Sequence, residues 1–321
     1  MRCGFLTFFC GSRPTPNWSL PKSCGRISAN RTSRTPSPNS ASVNDVTGQP
    51  VFDAVSGEIR TRILSTFILA PPILAAIYAG ASYFTLMLAL ISFIMAWEWG
   101  RLCGGVRFKP PGVALVIGTG LAVILTAAGH MREVLFLIPA VVFLVYLLGR
   151  RFKEGSPLWL ALGIVYIAVP CIALLWMRDL PGIGREVLLW IFGIVWATDT
   201  GAYCAGTLIG GPKLAPRLSP HKTWAGLAGG VVAAALVSGL LVGLTGAGFA
   251  LWPLVCFGAF LALVGQMGDL FESSVKRRFG VKDTSHLIPG HGGALDRFDG
   301  LLTVSPVVVA FLLLMGEKIA L

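Results

Sequence analysis

The sequence predicts an all-α, polytopic integral membrane protein with about nine transmembrane helices. Three observations predict it. Of 321 residues, 55% are hydrophobic and only 13% charged, the mean hydropathy is +0.75, and apolar runs recur from about residue 63 to the C-terminus. At roughly 17 to 25 residues, each run is long enough to cross a ~30 Å hydrocarbon core as a helix. The length is taken up by spans, with no room for a large separate soluble domain.

Residues 1–57 read differently, as a tail rich in Ser, Thr and Pro. Arg2, Arg13, Lys22, Arg26, Arg31 and Arg34 precede the first acid, Asp45, and no lasting periodicity appears. Such a segment is expected to be disordered. It reads as an extended or dispensable start, with an organellar transit peptide as the alternative. Residues 58–321 form the membrane domain, with spans expected at about 63–80, 82–99, 112–129, 133–149, 157–177, 186–208, 223–245, 250–270 and 300–316.

Charge asymmetry orients these spans. With the N-terminus inside, the inner flanks collect Arg60, Arg62, Arg101, Arg107, Lys109, Arg150, Arg151, Lys153, Lys213, Arg217, Lys222, Lys276, Arg277, Arg278, Lys282 and Arg297. The outer flanks hold Arg132, Arg178, Arg185 and Lys318, each with a carboxylate nearby. The positive-inside rule then expects a cytoplasmic N-terminus and an external C-terminus. Both polar, motif-rich segments, 209–222 and 271–299, fall on the cytoplasmic side, where nucleoside triphosphates are. The net charge of +11 has this topology and the basic tail as sufficient causes; a bilayer is the expected partner, and nucleic acid is not.

Small residues in one span (Gly226, Gly229, Gly230, Ala233, Ala234, Ala235) predict close helix packing. Pro71, Pro72, Pro139 and Pro170 predict kinks that neighbouring helices absorb. The seven cysteines contain no CxxC pair, so neither a disulfide framework nor a zinc knuckle is indicated. No GxxxxGK[ST], HExxH or GxSxG pattern occurs, which argues against a Walker-type ATPase, a zinc protease and a serine lipase.

The densest polar cluster runs from Gly268-Asp269 through Glu272, Ser273, Lys276, Arg277, Arg278, Lys282 and Asp283 to Pro289-Gly290-His291-Gly292-Gly293 and Leu295-Asp296-Arg297-Phe298-Asp299. Carboxylates at membrane depth are costly and mark functional sites by default. Converging carboxylates repel unless a cation holds them, and a hard ion such as Mg²⁺ takes oxygen ligands. Asp269 and Asp296 are the candidate metal ligands, with Asp299 on the same helical face as Asp296. Ordinary ion pairs with Lys276, Arg277 or Arg297 are the alternative. The basic side chains suit phosphates, or serve as topology determinants. Gly292 and Gly293 are candidates for cradling an anion on backbone N–H groups, and His291 is a general base or a hydrogen-bonded structural residue.

A second patch spans 196–226. Asp199 lies within an apolar span and needs a partner: a structural cation, the nucleotide, or a metal-bound water. Lys213, Ser219, Lys222 and Thr223 form a compact set of phosphate-gripping donors. Glu98, in Trp97-Glu98-Trp99, is a third intramembrane acid, best read as structurally hydrogen-bonded.

The run from Ser273 to Asp299 strongly resembles the signature of the phosphatidate cytidylyltransferases: Ser273, Lys276-Arg277, Lys282-Asp283, Pro289 to Gly293, and Leu295-Asp-Arg-Phe-Asp299. Asp199 to Tyr203 with Ser219 to Trp224 looks like the family's second motif, and the resemblance covers about 58–321. Ala225 stands where many members have glutamate, and Ala294 where a larger aliphatic is common. The resemblance implies transfer of the cytidylyl group of CTP to phosphatidic acid, giving CDP-diacylglycerol and pyrophosphate. It also implies a homodimer and Mg²⁺ on Asp269 and Asp296, with a second cation such as K⁺ beside it. The expected location is a bacterial inner membrane with the site facing the cytoplasm, or an organellar membrane if the tail is a transit peptide. A CTP-dependent polyprenol kinase and an ion-coupled transporter are the rival readings.

Overall fold

A computed structural model describes residues 70–105, 108–153, 155–245, 251–285, 287 and 292–319. The tail 1–57 and His291 lie outside these, as does the first part of the expected span 63–80. A short apolar helix, α1 (Ala70–Ala79), begins the described chain. It is followed by α2 (Ala81–Gly104), α3 (Pro110–Ala127), α4 (Met131–Phe152), α5 (Pro157–Arg178) and α6 (Gly184–Leu208). A two-stranded antiparallel hairpin, β1 (Lys213–Ala215) and β2 (Ser219–Thr223), leads into α7 (Trp224–Thr245), α8 (Leu251–Arg278) and α9 (Leu295–Ile319).

Eight of these helices, α2 to α9, are long and apolar enough to cross a membrane. The all-α polytopic expectation holds among the described residues, apart from the hairpin. Two boundaries differ in a way that matters. The expected span 250–270 continues as helix to Arg278, and α9 starts at Leu295 rather than 300. Phe271, Val275 and Phe279 explain the extension, because their i, i+4, i+8 spacing aligns one stripe along a helix. Val275 is fully buried. Phe271 stacks near Trp159 and Tyr166, Phe279 meets the edge of Trp159, and Arg278 lies over the Trp159 ring. Hydropathy stops at Leu270; packing against α5 carries the helix on.

The core centres on α5, whose Leu160, Ile164, Ile167, Cys171 and Leu174 are buried. Trp99 of α2, fully buried, donates its indole N–H to the Trp159 carbonyl at 2.7 Å, and Gly163 leaves room for its ring. Pro139 and Pro170 sit inside α4 and α5 as expected. The carbonyl of Pro170 accepts from the Ser305 hydroxyl of α9.

The small-residue face of α7 packs on α6 as the sequence predicts. A Cβ on Gly229 would strike Ala205, and one on Gly230 would come 2.9 Å from the Thr198 carbonyl. Such backbone approach needs glycine at these two positions, and it brings Asp199 of α6 beside the hairpin that precedes α7.

Candidate active site at one end of the bundle

Three chain features converge where α2, α6 and α8 finish and α5, α7 and α9 begin. The end of α2 is tied to the start of α5 by Ser156 N–H donating to the Cys103 carbonyl at 3.1 Å. Glu98, one turn and a half from the end of α2, reaches the start of α9: the Ala294 and Leu295 N–H groups donate to its two oxygens at 2.9 and 2.8 Å. The hairpin is held to α8 by Arg277, which donates to the Leu218 carbonyl at 3.4 Å.

Asp296, in the first turn of α9, is bonded on both oxygens. Oδ1 takes the Lys276 ammonium at 2.6 Å; Oδ2 accepts from Gly293 N–H at 2.9 Å, Thr284 N–H at 3.1 Å and the Thr284 hydroxyl at 3.0 Å. Lys276 also bonds the fully buried Glu272 one turn earlier at 3.2 Å. The ion-pair alternative for Asp296 is therefore realised with Lys276. The Gly293 amide, expected to face a free anion, is directed at this carboxylate.

Asp269, on the same helix as Lys276, is paired with Lys222 of β2 and receives the Ser273 hydroxyl at 3.4 Å. Asp199 and Asp299 lie in the electrostatic field of Asp269 and of Lys222. Asp199, Asp296, Arg297 and Asp299 line a cavity of about 130 Å³ walled by Phe192, Val195 and Trp196. The Tyr166 hydroxyl of α5 enters the field of Glu272, Asp299 and Asp269. Carboxylates outnumber the cations paired with them here.

The remaining candidates divide. Thr223 is buried and its hydroxyl accepts from Gly226 N–H at 3.0 Å, capping the start of α7. Lys213 pairs in register with Thr223, and Ser219 stands at the other end of β2. Lys213, Lys282 and Asp283 are exposed. Gly292 has φ +76, and a Cβ there would come 2.7 Å from the Asp296 carboxylate. Thr284 and Ser285 went unremarked in the sequence. A hydroxyl pair between two acidic motifs is a weak signal, and only the fold shows both bonding intramembrane carboxylates.

Among the described residues, no three Asp, Glu, His or Cys side chains close around a point as a metal cage would. The donor chemistry nonetheless fits a hard cation, because Asp199, Asp269 and Asp299 are oxygen ligands that repel one another, with Lys222 and Arg297 as the cations acting on them.

Comparison with known proteins gives the family of the chain. A family model described as "Cytidylyltransferase family" matches residues 60–315. The chain is similar to the phosphatidate cytidylyltransferase of Brucella suis, 37% identical over 262 residues, covering 81% of this chain and 95% of that protein. It is 33% identical over 270 residues to the one of Pseudomonas aeruginosa, covering 80% and 98%. The one of Staphylococcus saprophyticus is 31% identical over 256 residues, covering 78% and 97%. With four fifths of its length matched, the chain belongs to the cytidylyltransferase family.

Proposed function

We propose that this membrane enzyme transfers the cytidylyl group of CTP to phosphatidic acid, giving CDP-diacylglycerol and pyrophosphate. The observation that carries this reading is the folding of the 269–299 motif into two facing helix ends, where Asp269, Asp296 and Asp299 meet Lys222 and Lys276 in a chain of this family. One phosphate oxygen of phosphatidic acid attacks the α-phosphorus of CTP in line, and the bond from that phosphorus to the bridging oxygen breaks, releasing pyrophosphate. A phosphate monoester is largely dianionic near neutral pH, with a second pKa of ~6, so a dedicated general base is not required.

Asp269, Asp296 and Asp299 are the residues that would hold Mg²⁺, with K⁺ as a second cation nearby. Bound there, Mg²⁺ supplies neutralisation of the charge that develops on the departing pyrophosphate. Lys222 and Lys276 keep the aspartates paired and offer ammonium groups to phosphate oxygens. Arg297, Arg277 and Lys282 add cations at the rim, and the cavity beside Asp199 sets charged groups against a wall of Trp196 and Phe192.

The basic residues Arg101, Arg150, Arg151, Arg217 and Arg278 lie on the helix ends and the hairpin on the same side as the cluster. This supports a cytoplasmic active site in a bacterial inner membrane, with the C-terminus outside. A homodimer is part of the same proposal, tested by crosslinking in native membranes.

The deciding experiment incubates purified protein in detergent micelles with labelled CTP, phosphatidic acid and Mg²⁺. CDP-diacylglycerol and pyrophosphate should appear together, and only with lipid and metal both present. CDP with a phosphorylated polyprenol would make the chain a kinase; vesicle uptake without CTP consumption would make it a transporter.

A further inference from the structure

We propose that Glu98 is a positioning residue for this reaction: through Thr284 and the first amides of α9, its carboxylate holds Asp296 in its working orientation. The inference rests on the cytidylyl-transfer reading above and adds a residue from the far end of the sequence.

Glu98 is fully buried. An ionised carboxylate in that position is costly unless its lone pairs are filled. They are filled without a cation: among the described residues no lysine or arginine bonds it. Its donors are Ser285 Oγ at 2.5 Å, Leu295 N–H at 2.8 Å, Ala294 N–H at 2.9 Å and, more distantly, Thr284 Oγ1 at 3.4 Å. Two of the four are amides at the start of α9, where a helix leaves N–H groups unpaired and presents the positive end of its dipole. Glu98 is thus an N-terminal cap supplied from 196 residues away.

The same short segment is gripped from its other side by Asp296. Thr284 N–H, Thr284 Oγ1 and Gly293 N–H all point to Asp296 Oδ2. The Thr284 hydroxyl lies between the two carboxylates, 3.0 Å from Asp296 and 3.4 Å from Glu98. Gly293 supplies an independent sign of how closely the parts are fitted. A Cβ there would collide with both the Thr284 hydroxyl and the Glu98 carboxylate.

Loosening Glu98 therefore frees the start of α9 and Thr284 together, and Asp296 loses the frame that points it at Lys276. Glu98 itself is enclosed by donors and touches no reacting group, so its effect on the reaction passes through Asp296. A displacement of ~1 Å at a reacting centre can cost ~10²-fold in rate.

The test uses the full chain in detergent micelles with three variants: Glu98→Gln, Thr284→Val and Thr284→Ser. Glutamine keeps the volume of Glu98 but turns one acceptor oxygen into a donor facing donors. Valine keeps the shape of threonine without its hydroxyl, and serine restores the hydroxyl. Hydrogen exchange of peptides covering 284–298, measured without nucleotide or metal, should speed up in Glu98→Gln and Thr284→Val and return toward wild type in Thr284→Ser.

In turnover, the first two variants should lower kcat per folded molecule by about 10- to 100-fold and raise the half-saturating Mg²⁺ concentration, beyond any loss of folded enzyme that a lower melting temperature brings. Wild-type exchange and kinetics in both variants would overturn the proposal. So would a loss confined to the fraction of folded enzyme with kcat per folded molecule and Mg²⁺ dependence unchanged, since that is the signature of a purely structural residue. If the wild type turns over no CTP, the functional reading fails while the exchange data still decide whether the clamp exists.

Discussion

The two halves of the acidic cluster are held in opposite ways. At the α9 side, Glu98 and Asp296 are saturated by amides, hydroxyls and Lys276, every donor coming from the protein. Around the cavity, Asp199, Asp269 and Asp299 come together with Lys222 and Arg297 as the cations acting on them. The first half is a finished frame, because in a low-dielectric interior charge-assisted bonds worth about 1.5–3 kcal/mol each can offset the burial of a carboxylate. The second brings three mutually repelling carboxylates together, an arrangement an added cation would favour. Glu98, buried with all its partners, belongs to the frame, while Asp296 stands between the two halves, its Oδ2 held by protein donors and its Oδ1 by Lys276, which an arriving cation would replace.

The most severe way to break this contrast is at the open half. Asp269→Asn should abolish turnover, a fall of at least ~10³-fold, while the protein still folds and melts near the wild-type temperature. Retention of most activity in the micelle assay would remove Asp269 from the candidate metal ligands.

Breaking the frame costs stability as well as rate. Gly293→Ala drives a methyl group into Thr284 and Glu98, and overpacking of this kind costs roughly 1–3 kcal/mol. A lowered melting temperature together with slowed turnover is expected; a variant as stable and active as wild type would mean that this loop has slack.

A subtler change shifts one half against the other. Gly229→Val wedges α7 from α6 at Ala205 and should separate Asp199 from Lys222, raising the KM for CTP by about 10-fold with a smaller effect on kcat. An unchanged KM would show that Asp199 does not depend on the α6–α7 contact.

The smallest effect is expected at the opposite end of the bundle. There Arg185 and Glu186 form an ion pair at 3.0 Å, with Arg185 half exposed. Exposed pairs contribute less than about 1 kcal/mol, so Arg185→Ala should leave turnover unchanged within assay error. A large loss would mean that charge at this end influences the site.

Much of the architecture was legible because a hydrocarbon solvent leaves few options. The spans from α2 to α9 follow from apolar length, and the glycine face of α7 from the absence of any larger side chain on it. Glu98 was readable as a structurally hydrogen-bonded acid, and the donors that satisfy it confirm that reading. What it bonds was not readable, since its partners lie at Thr284, Ser285, Ala294 and Leu295, nearly 200 residues on. Gly293 was read as an anion cradle on the strength of its flexibility; its amide meets Asp296, an anion within the chain.

The sequence by itself determined the solvent of this protein, its helical class and its family, because apolar length, charge patterning and a long motif are properties of adjacent residues. Only the tertiary structure decided how far α8 runs, that residues 213–223 form a hairpin, and which groups each carboxylate meets. Those outcomes depend on side chains from distant helices meeting in a space without water, where each polar group must take whatever partner the packing brings to it.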